Sequence, residues 1–215
     1  MRKAAIFDLD GTLISGTSSE RIFIKYLFKK GEISLTDIFR TFLKFFENMG
    51  SWNKMVLQNK YYLKGWSPEK FRQIADECFF NRVDRLISKD MIRIIHYHRD
   101  KGDLLIIISG TLNFILDVFN RRLSFDDKKG TDLEVKDGEF TGRISGIHPH
   151  GHDKLVVLEE FIKKYQIDLA NSTVYANHFT DRLIMEKVGN PVAVNPDRNL
   201  RRYAKNRSWK ILNIR

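Results

Sequence analysis

The chain of 215 residues holds one cysteine, Cys78, so no disulfide can close within it; such sparse cysteine fits a reducing compartment. No apolar run comes near the roughly 18 residues that a membrane span requires. The basic start Met1-Arg2-Lys3 leads into Ala4-Ala5-Ile6-Phe7, and Asp8 and Asp10 then interrupt it, which excludes a secretory signal. Internal repeats, low-complexity segments, zinc-knuckle spacing, an RNA-binding signature and basic heptads are all missing, so the pattern gives no nucleic-acid partner. A soluble, cytoplasmic protein without a transmembrane segment is the expectation.

Positive charge is what the chain has in excess. Lys and Arg number 37 against 27 Asp and Glu, a net charge of +10 with a pI of about 9.6. That balance favours anionic company, either phosphorylated small molecules or an anionic membrane surface. The basic residues are scattered rather than run together, which equally describes a solubilising surface. The length suits one α/β domain with an insertion, or two small domains, and 42% hydrophobic residues suffice for a core. The sequence sets no oligomeric state.

Ala4-Ala5-Ile6-Phe7 reads as a buried strand that ends on Asp8-Leu9-Asp10-Gly11-Thr12-Leu13. Carboxylates two residues apart share a side of a regular strand, and Gly11 allows a sharp exit. In open α/β sheets, ligands gather at the carboxyl ends of strands. Three more apolar runs read as strands: 104–108, 173–176 and 191–194, with 209–214 as a further candidate. Helical patterns fall near 84–100, 111–123, 153–165 and 180–188. Alternation of this kind predicts a parallel sheet. Between Leu133-Glu134-Val135 and Phe140, Asp137-Gly138 predicts a hairpin over 132–147.

Residues 17–83 show no strand pattern. Apolar residues recur at helical spacing (Ile22, Phe23, Tyr26, Leu27; Ile38, Phe39, Phe42, Leu43, Phe46), punctuated by Gly31, Gly50 and Gly65-Trp66-Ser67-Pro68. The expectation is an all-helical insertion of four helices, joined through Gly16-Thr17-Ser18-Ser19 and Arg82-Val83-Asp84. Its aromatics, among them Phe45, Trp52, Tyr61 and Tyr62 beside Lys64, suit either its own core or an apolar substrate.

Ser109-Gly110-Thr111 follows the strand 104–108, where a hydroxyl and amides at a helix start can cradle phosphate or simply cap the helix. Lys154 opens another helix, a position mildly unfavourable for a cation. Asp181 follows the strand 173–176. Asp8-x-Asp10, Ser109, Lys154 and Asp181, in that order, resemble the four motifs of the haloacid-dehalogenase-like hydrolases, and the helical insertion, the hairpin and Ala193-Val194-Asn195-Pro196-Asp197 resemble the phosphoserine-phosphatase-like branch with a helical cap. The likeness spans essentially the whole chain.

The resemblance implies a Rossmann-like parallel-sheet core from residues 1–16 and 84–215 and a cap at 17–83. It implies a Mg²⁺-dependent phosphomonoesterase of a small organic phosphate, with Asp8 as nucleophile and Asp10 as general acid and base. Ser109, Gly110, Thr111 and Lys154 would hold the phosphoryl oxygens, and Asp8, Asp10, Asn177 and Asp181 the Mg²⁺. Two departures stand out. The fourth motif of the family reads Gly-Asp-Ser-x-x-Asp, and here the positions are Ala176-Asn177-His178-Phe179-Thr180-Asp181, so an amide replaces the first carboxylate. An alternative reading is therefore a catalytically impaired, phosphate-binding or regulatory relative. The acid that meets the substrate amine in phosphoserine phosphatases is also not at its place, where Ser15-Gly16-Thr17-Ser18-Ser19 stands with Glu20 beyond; this argues against phosphoserine. His148, His150 and His152 alternate with Pro149 and Gly151 as a loop leading to Lys154, with a metal role as the lesser reading. Cys78 reads as a core residue rather than a nucleophile.

Overall fold

The structure is a computed structural model that describes residues 1–34, 36, 39 and 59–214. Seven strands form one sheet: β1 (Ala4–Phe7), β2 (Leu104–Leu112), β3 (Asp127–Lys136), β4 (Glu139–Ser145), β5 (Thr173–Ala176), β6 (Asn190–Val194) and β7 (Lys210–Leu212), in the order β4-β3-β2-β1-β5-β6-β7. All neighbouring pairs are parallel except β3 with β4. The Rossmann-like core expected from the sequence is therefore present.

The centre of the sheet explains its composition. β1 is fully buried between β2 and β5, and a strand covered on both faces is apolar throughout. Alternation still sorts its side chains. Ala5 and Phe7 join Leu105, Ile107, Tyr175 and Val192 in one cluster, whereas Ala4 and Ile6 join Leu104, Ile106, Val174 and Ala193 in the other. The first face carries α1 (Ser19–Lys29), α2 (Pro68–Phe79), α4 (Lys89–Asp100) and α5 (Asn113–Leu123), with the short α3 (Val83–Leu86) leading in. The second carries α6 (His152–Tyr165), α7 (Arg182–Met185) and α8 (Arg198–Asn206). Chain direction reverses its face at β1, as right-handed crossovers on either side of a central strand require. No helix among the described residues is long and apolar enough to cross a membrane.

The hairpin forms where the sequence places it. Asp137 (φ 53°) and Gly138 (φ 81°) are both left-handed, the backbone that a two-residue turn of this kind needs, and Val135 pairs with Phe140. β3 begins earlier than expected, at Asp127. Its first residues are polar because they close the parallel part of the sheet, where Lys128 meets Asp117 and Asp127 accepts from Lys164 and Tyr165. β2 also runs longer than its apolar core, to Leu112, with a register shift after Ile108. Ser109-Gly110-Thr111 is thus an irregular strand end and not a helix start. The helix begins at Asn113, and its preceding residue, Leu112, gives no side-chain cap.

Within 17–83 the described part contains α1, α2 and a 3-10 turn at Tyr61–Leu63, and no strand. Ser18 caps α1 through the Arg21 amide, and Ser67 with Pro68 opens α2, a pairing that suits helix starts. Phe23, Phe71, Phe114 and Phe140 pack ring against ring, so α1 and α2 share one cluster with α5 and β4. The helical expectation at Ile38, Phe42, Leu43 and Phe46, and the aromatics Phe45 and Trp52, lie outside the described residues. Cys78 is buried in this cluster, and burial pushes its thiol up to about 12, which suits a core residue and not a nucleophile.

Candidate active site

At the carboxyl end of β1 the chain presents Asp8, and three sequence segments converge on it. Lys154, from the first turn of α6, donates to Asp8 Oδ1 at 2.7 Å and pairs with Asp181 Oδ1 at 3.0 Å. All three groups are buried, with Lys154 and Asp181 each 3% exposed. Thr12 donates to Asp8 Oδ2 at 3.0 Å. Both oxygens being engaged, the carboxylate is fixed in rotation. Burial pushes the Asp8 carboxyl up to about 6, against the pull of Lys154. For Lys154 burial works against its charge, but Asp181 and Asp8 outweigh it and hold the ammonium well above its ordinary value. The odd position of a lysine in a helix start has its cause in these two carboxylates.

Asp10 lies beside them and faces α1. The Ser19 amide donates to Oδ1 at 2.7 Å, and the Ser19 and Thr111 hydroxyls donate to Oδ2 at 3.1 and 2.8 Å. Burial raises the Asp10 carboxyl, and these hydrogen bonds offset part of the rise. Ser109 is 1% exposed and donates to Thr111 Oγ1 at 3.2 Å, so Ser109, Thr111 and Asp10 form a chain. Asn177 closes the other side. Its Oδ1 is 3.4 Å from Thr12 Oγ1, and its side chain lies against Gly11, where a Cβ would come within 2.0 Å of Asn177 Nδ2. Gly11 also has φ +84°, so this turn both bends and makes room, and no side chain fits.

A cavity of about 290 Å³ opens over these groups. Asp8, Asp10, Ser109, Gly110, Thr111, Lys154, Asn177 and Asp181 all line it, so every site residue expected from the sequence is brought together. Ser18, Glu20 and Lys60 of the insertion line its rim. Glu20 is held there by Lys60 at 2.7 Å and by the Tyr62 hydroxyl at 2.8 Å. Tyr62 is thus buried in the insertion's packing and spends its hydroxyl on Glu20, while the ring of Trp66 packs on Phe71.

The segment 148–151 is the loop expected before Lys154. His148, His150 and His178 stand in series at the cavity, with ring centroids 6.0 and 6.3 Å apart, while His152 is exposed on α6. Thr131 donates to the Gly110 carbonyl at 2.7 Å, so its oxygen accepts from His148 Nδ1 at 2.6 Å. That leaves Nε2 as the acceptor atom of a neutral ring. Burial, with help from Lys60, pulls His148 down to about 4.

This sets a testable pH dependence. The unfolded imidazole titrates near 6.5, and a group depressed in the folded state lends stability above that value and loses it as pH falls through the folded value. Over that interval the chain is expected to lose roughly 2–3 kcal/mol through His148. His148→Gln should flatten this part of the profile, as read by urea unfolding from pH 7 to pH 4. Parallel profiles for the two proteins would show that His148 is not a neutral buried group.

The donor set bears on a metal. Asp8, Asp181 and Asn177, which line the cavity, offer side-chain oxygen, which suits a hard divalent cation in kind. Among the described residues no three His, Cys, Asp or Glu side chains form a group able to hold a metal ion. A cation here would therefore rely on the Asn177 amide as well as on carboxylate.

Several partners escaped the sequence. Thr12 stands in the first motif itself and was readable there as a hydroxyl four residues after Asp8. Ser19, Lys60 and Thr131 reach the site only through tertiary packing and carry no local signal.

A family model described as haloacid dehalogenase-like hydrolase matches residues 5–186. The "Inhibition of morphological differentiation protein" of Streptomyces azureus is 31% identical over 99% of this chain and 79% of its own length. A histidinol-phosphatase of Neisseria meningitidis is 28% identical over the whole of both chains. A solved substrate-bound phosphoserine phosphatase superposes with a TM-score of 0.68 at 19% identity, over 99% of this chain and 93% of that one, a likeness of fold.

Proposed function

Because the chain belongs to the haloacid dehalogenase-like hydrolases, we propose that it is a Mg²⁺-dependent phosphomonoesterase that hydrolyses a small organic phosphate through an aspartyl-phosphate on Asp8. The buried Asp8–Lys154–Asp181 array beside Asp10 carries the reading. A carboxylate fixed on both oxygens, with a second carboxyl whose pKa burial raises as its neighbour, is suited to attack on phosphorus.

In the first half-reaction an Asp8 oxygen bonds to phosphorus, the ester P–O bond breaks, and Asp10 gives its proton to the leaving oxygen. The raised pKa of Asp10 favours the protonated form this step needs. In the second half, Asp10 takes a proton from water as that water attacks phosphorus, and the bond to Asp8 breaks to release phosphate. Lys154 stays charged throughout and offsets the developing negative charge, while Ser109 and the Gly110 amide hold phosphoryl oxygens. Mg²⁺, held by Asp8, the Asp10 carbonyl and Asn177 with Asp181 close by, would supply the positive charge that lets an anion approach an anion.

Residues 17–83 act as the cap in this reading, since Ser18, Glu20 and Lys60 form the rim from that segment. A cap excludes water from the reacting groups and selects the leaving group. Glu20, placed beyond the site by the sequence, lines the cavity. Its carboxylate is engaged by Lys60 and Tyr62, and the substrate class remains a small organic phosphate. The deciding experiment is hydrolysis of an aryl phosphate by the purified chain with and without Mg²⁺. Absence of Mg²⁺-dependent release of the aryl alcohol would refute the proposal.

Asn177 favours a second reading, an impaired phosphate-binding relative, and one variant separates the two. Replacing a carboxylate by an amide removes a negative charge from beside the cation. The parent is expected to need Mg²⁺ at millimolar level, in the order-of-magnitude sense, and Asn177→Asp to tighten Mg²⁺ and raise turnover by on the order of tenfold. Mg²⁺ titrations by calorimetry and by activity check both. Equal Mg²⁺ binding and equal rates in the two proteins would place Asn177 off the metal.

A further inference from the structure

A second and larger cavity, of about 650 Å³, lies at the opposite end of the sheet from Asp8. Arg2 and Lys3 precede β1, Lys101, Gly102 and Asp103 precede β2, and Asn190 and Lys210 open β6 and β7. Its walls are therefore the amino ends of the strands, so it shares nothing with the site that the carboxyl ends build. Its floor is the buried sheet face of Thr173, Tyr175 and Val192, and α4 supplies one wall. The helices α6, α7 and α8 all pack on the other face.

The charge around this cavity is one-sided. Arg2, Lys3, Lys101 and Lys210 line it, and Asp103 is the one carboxylate among the lining residues. Asp103 is already committed: its Oδ2 holds His98 Nδ1 at 2.7 Å, and His98 Nε2 meets the Tyr175 hydroxyl at 2.8 Å. Asp168, which feels Lys3, spends its carboxylate on Asn171. Among the described residues none of the four cations is in an ion pair. Backbone geometry holds two of them in place: the Arg2 amide donates to the Gln166 carbonyl, and the Lys3 carbonyl accepts from Leu104. Four like charges gathered round one opening repel one another unless an anion neutralises them. A volume of this size falls in the range of small-molecule sites.

We propose that this cavity binds a small anion carrying two or more phosphate groups, with Arg2, Lys3, Lys101 and Lys210 as its counter-charges. The site stands apart from the hydrolytic centre and does not depend on the phosphatase reading. Arginine and lysine together suit phosphate recognition, one as a forked donor and the other as a point charge. Tyr97, 58% exposed beside Lys101, gives the opening a flat edge.

The test is an NMR titration of the intact chain with methylenediphosphonate, a diphosphate whose P–C–P link resists hydrolysis, at constant ionic strength. Saturable shifts are expected at the amides of Lys101, Gly102 and Asp103 and at the His98 ring. Lys101→Glu and Lys210→Glu, both exposed positions, should each weaken this binding by on the order of tenfold or more while leaving aryl-phosphate hydrolysis unchanged. Inorganic phosphate should bind at least about tenfold more weakly than the diphosphonate. The proposal is overturned by absent or unsaturated shifts at Lys101–Asp103, by shifts confined to Asp8, Gly110 and Lys154, by full affinity in either variant, or by equal affinity for inorganic phosphate.

Discussion

Asp8→Asn is expected to lower aryl-phosphate turnover by at least about 10³-fold while the chain stays folded, the size of loss that follows when a nucleophile is removed. An amide of the same shape fills the same space, so the cavity and the Thr12 contact persist. Lys154 keeps Asp181 as a partner at 3.0 Å, which prevents a stranded ammonium. The melting temperature should therefore move by only a few degrees, whereas activity should collapse. Beryllium fluoride, which mimics a phosphoryl group on a carboxylate, should protect the parent against unfolding and leave the variant unprotected. Turnover above a few per cent of the parent would remove Asp8 from the role of nucleophile.

The second large effect concerns Lys154→Met. The methionine fills much of the volume but leaves Asp8 and Asp181, 7% and 3% exposed, without their shared cation. Breaking a buried ion pair from one side costs about 3–5 kcal/mol. For a domain of this size that is a fall in melting temperature of roughly 10 °C or more at neutral pH. The sign with pH follows from Asp8, which already stands at about 6 in the presence of Lys154. Loss of the lysine can only raise a carboxylate further. A carboxyl raised in the folded state is at no disadvantage below its unfolded value near 3.9, and stability drains away as pH climbs through the folded value. The gap between variant and parent should thus be widest above pH 6 and narrow toward pH 4. Melting curves at four or five pH values read it directly, and a gap that ignores pH would mean that packing around Lys154, not its charge, is what the fold uses. Turnover should be lost at every pH.

Much of this site could be read before any coordinates. Asp8 and Asp10 announced a strand end because apolar residues ran straight into them. Ser109, Lys154, Asn177 and Asp181 each followed a strand or opened a helix, and a parallel sheet brings such positions to one edge whatever lies between. Asp137-Gly138 fixed its hairpin by backbone chemistry alone. Other features were illegible for definite reasons. The start of β3 at Asp127 is too polar to read as a strand, since charge partners on α5 and α6 satisfy its side chains. The extension of β2 through Thr111 is decided by pairing with β3, a contact of distant residues. Local rules read the same three residues as a helix cap. Glu20 could be seen but not placed, because Lys60 and Tyr62, some 40 residues away, decide where its carboxylate rests. The approach of His178 to His150 joins residues far apart in sequence, so no local pattern shows it.

The central position of β1 has a consequence for how the protein is made. This strand is translated well before its two neighbours, residues 104–107 on one side and 173–175 on the other. At about 5–20 residues per second, the first neighbour appears roughly 5–20 s later, and the second later still. Through that interval Ala4–Phe7 is an apolar segment with both edges unpaired. Asp8, which follows it, exists as a residue long before the cluster around it exists, because Lys154 and Asp181 have yet to be translated. A nascent or truncated chain ending before about residue 180 should therefore be hydrolytically silent and prone to self-association or capture by chaperones, however well its helices have formed.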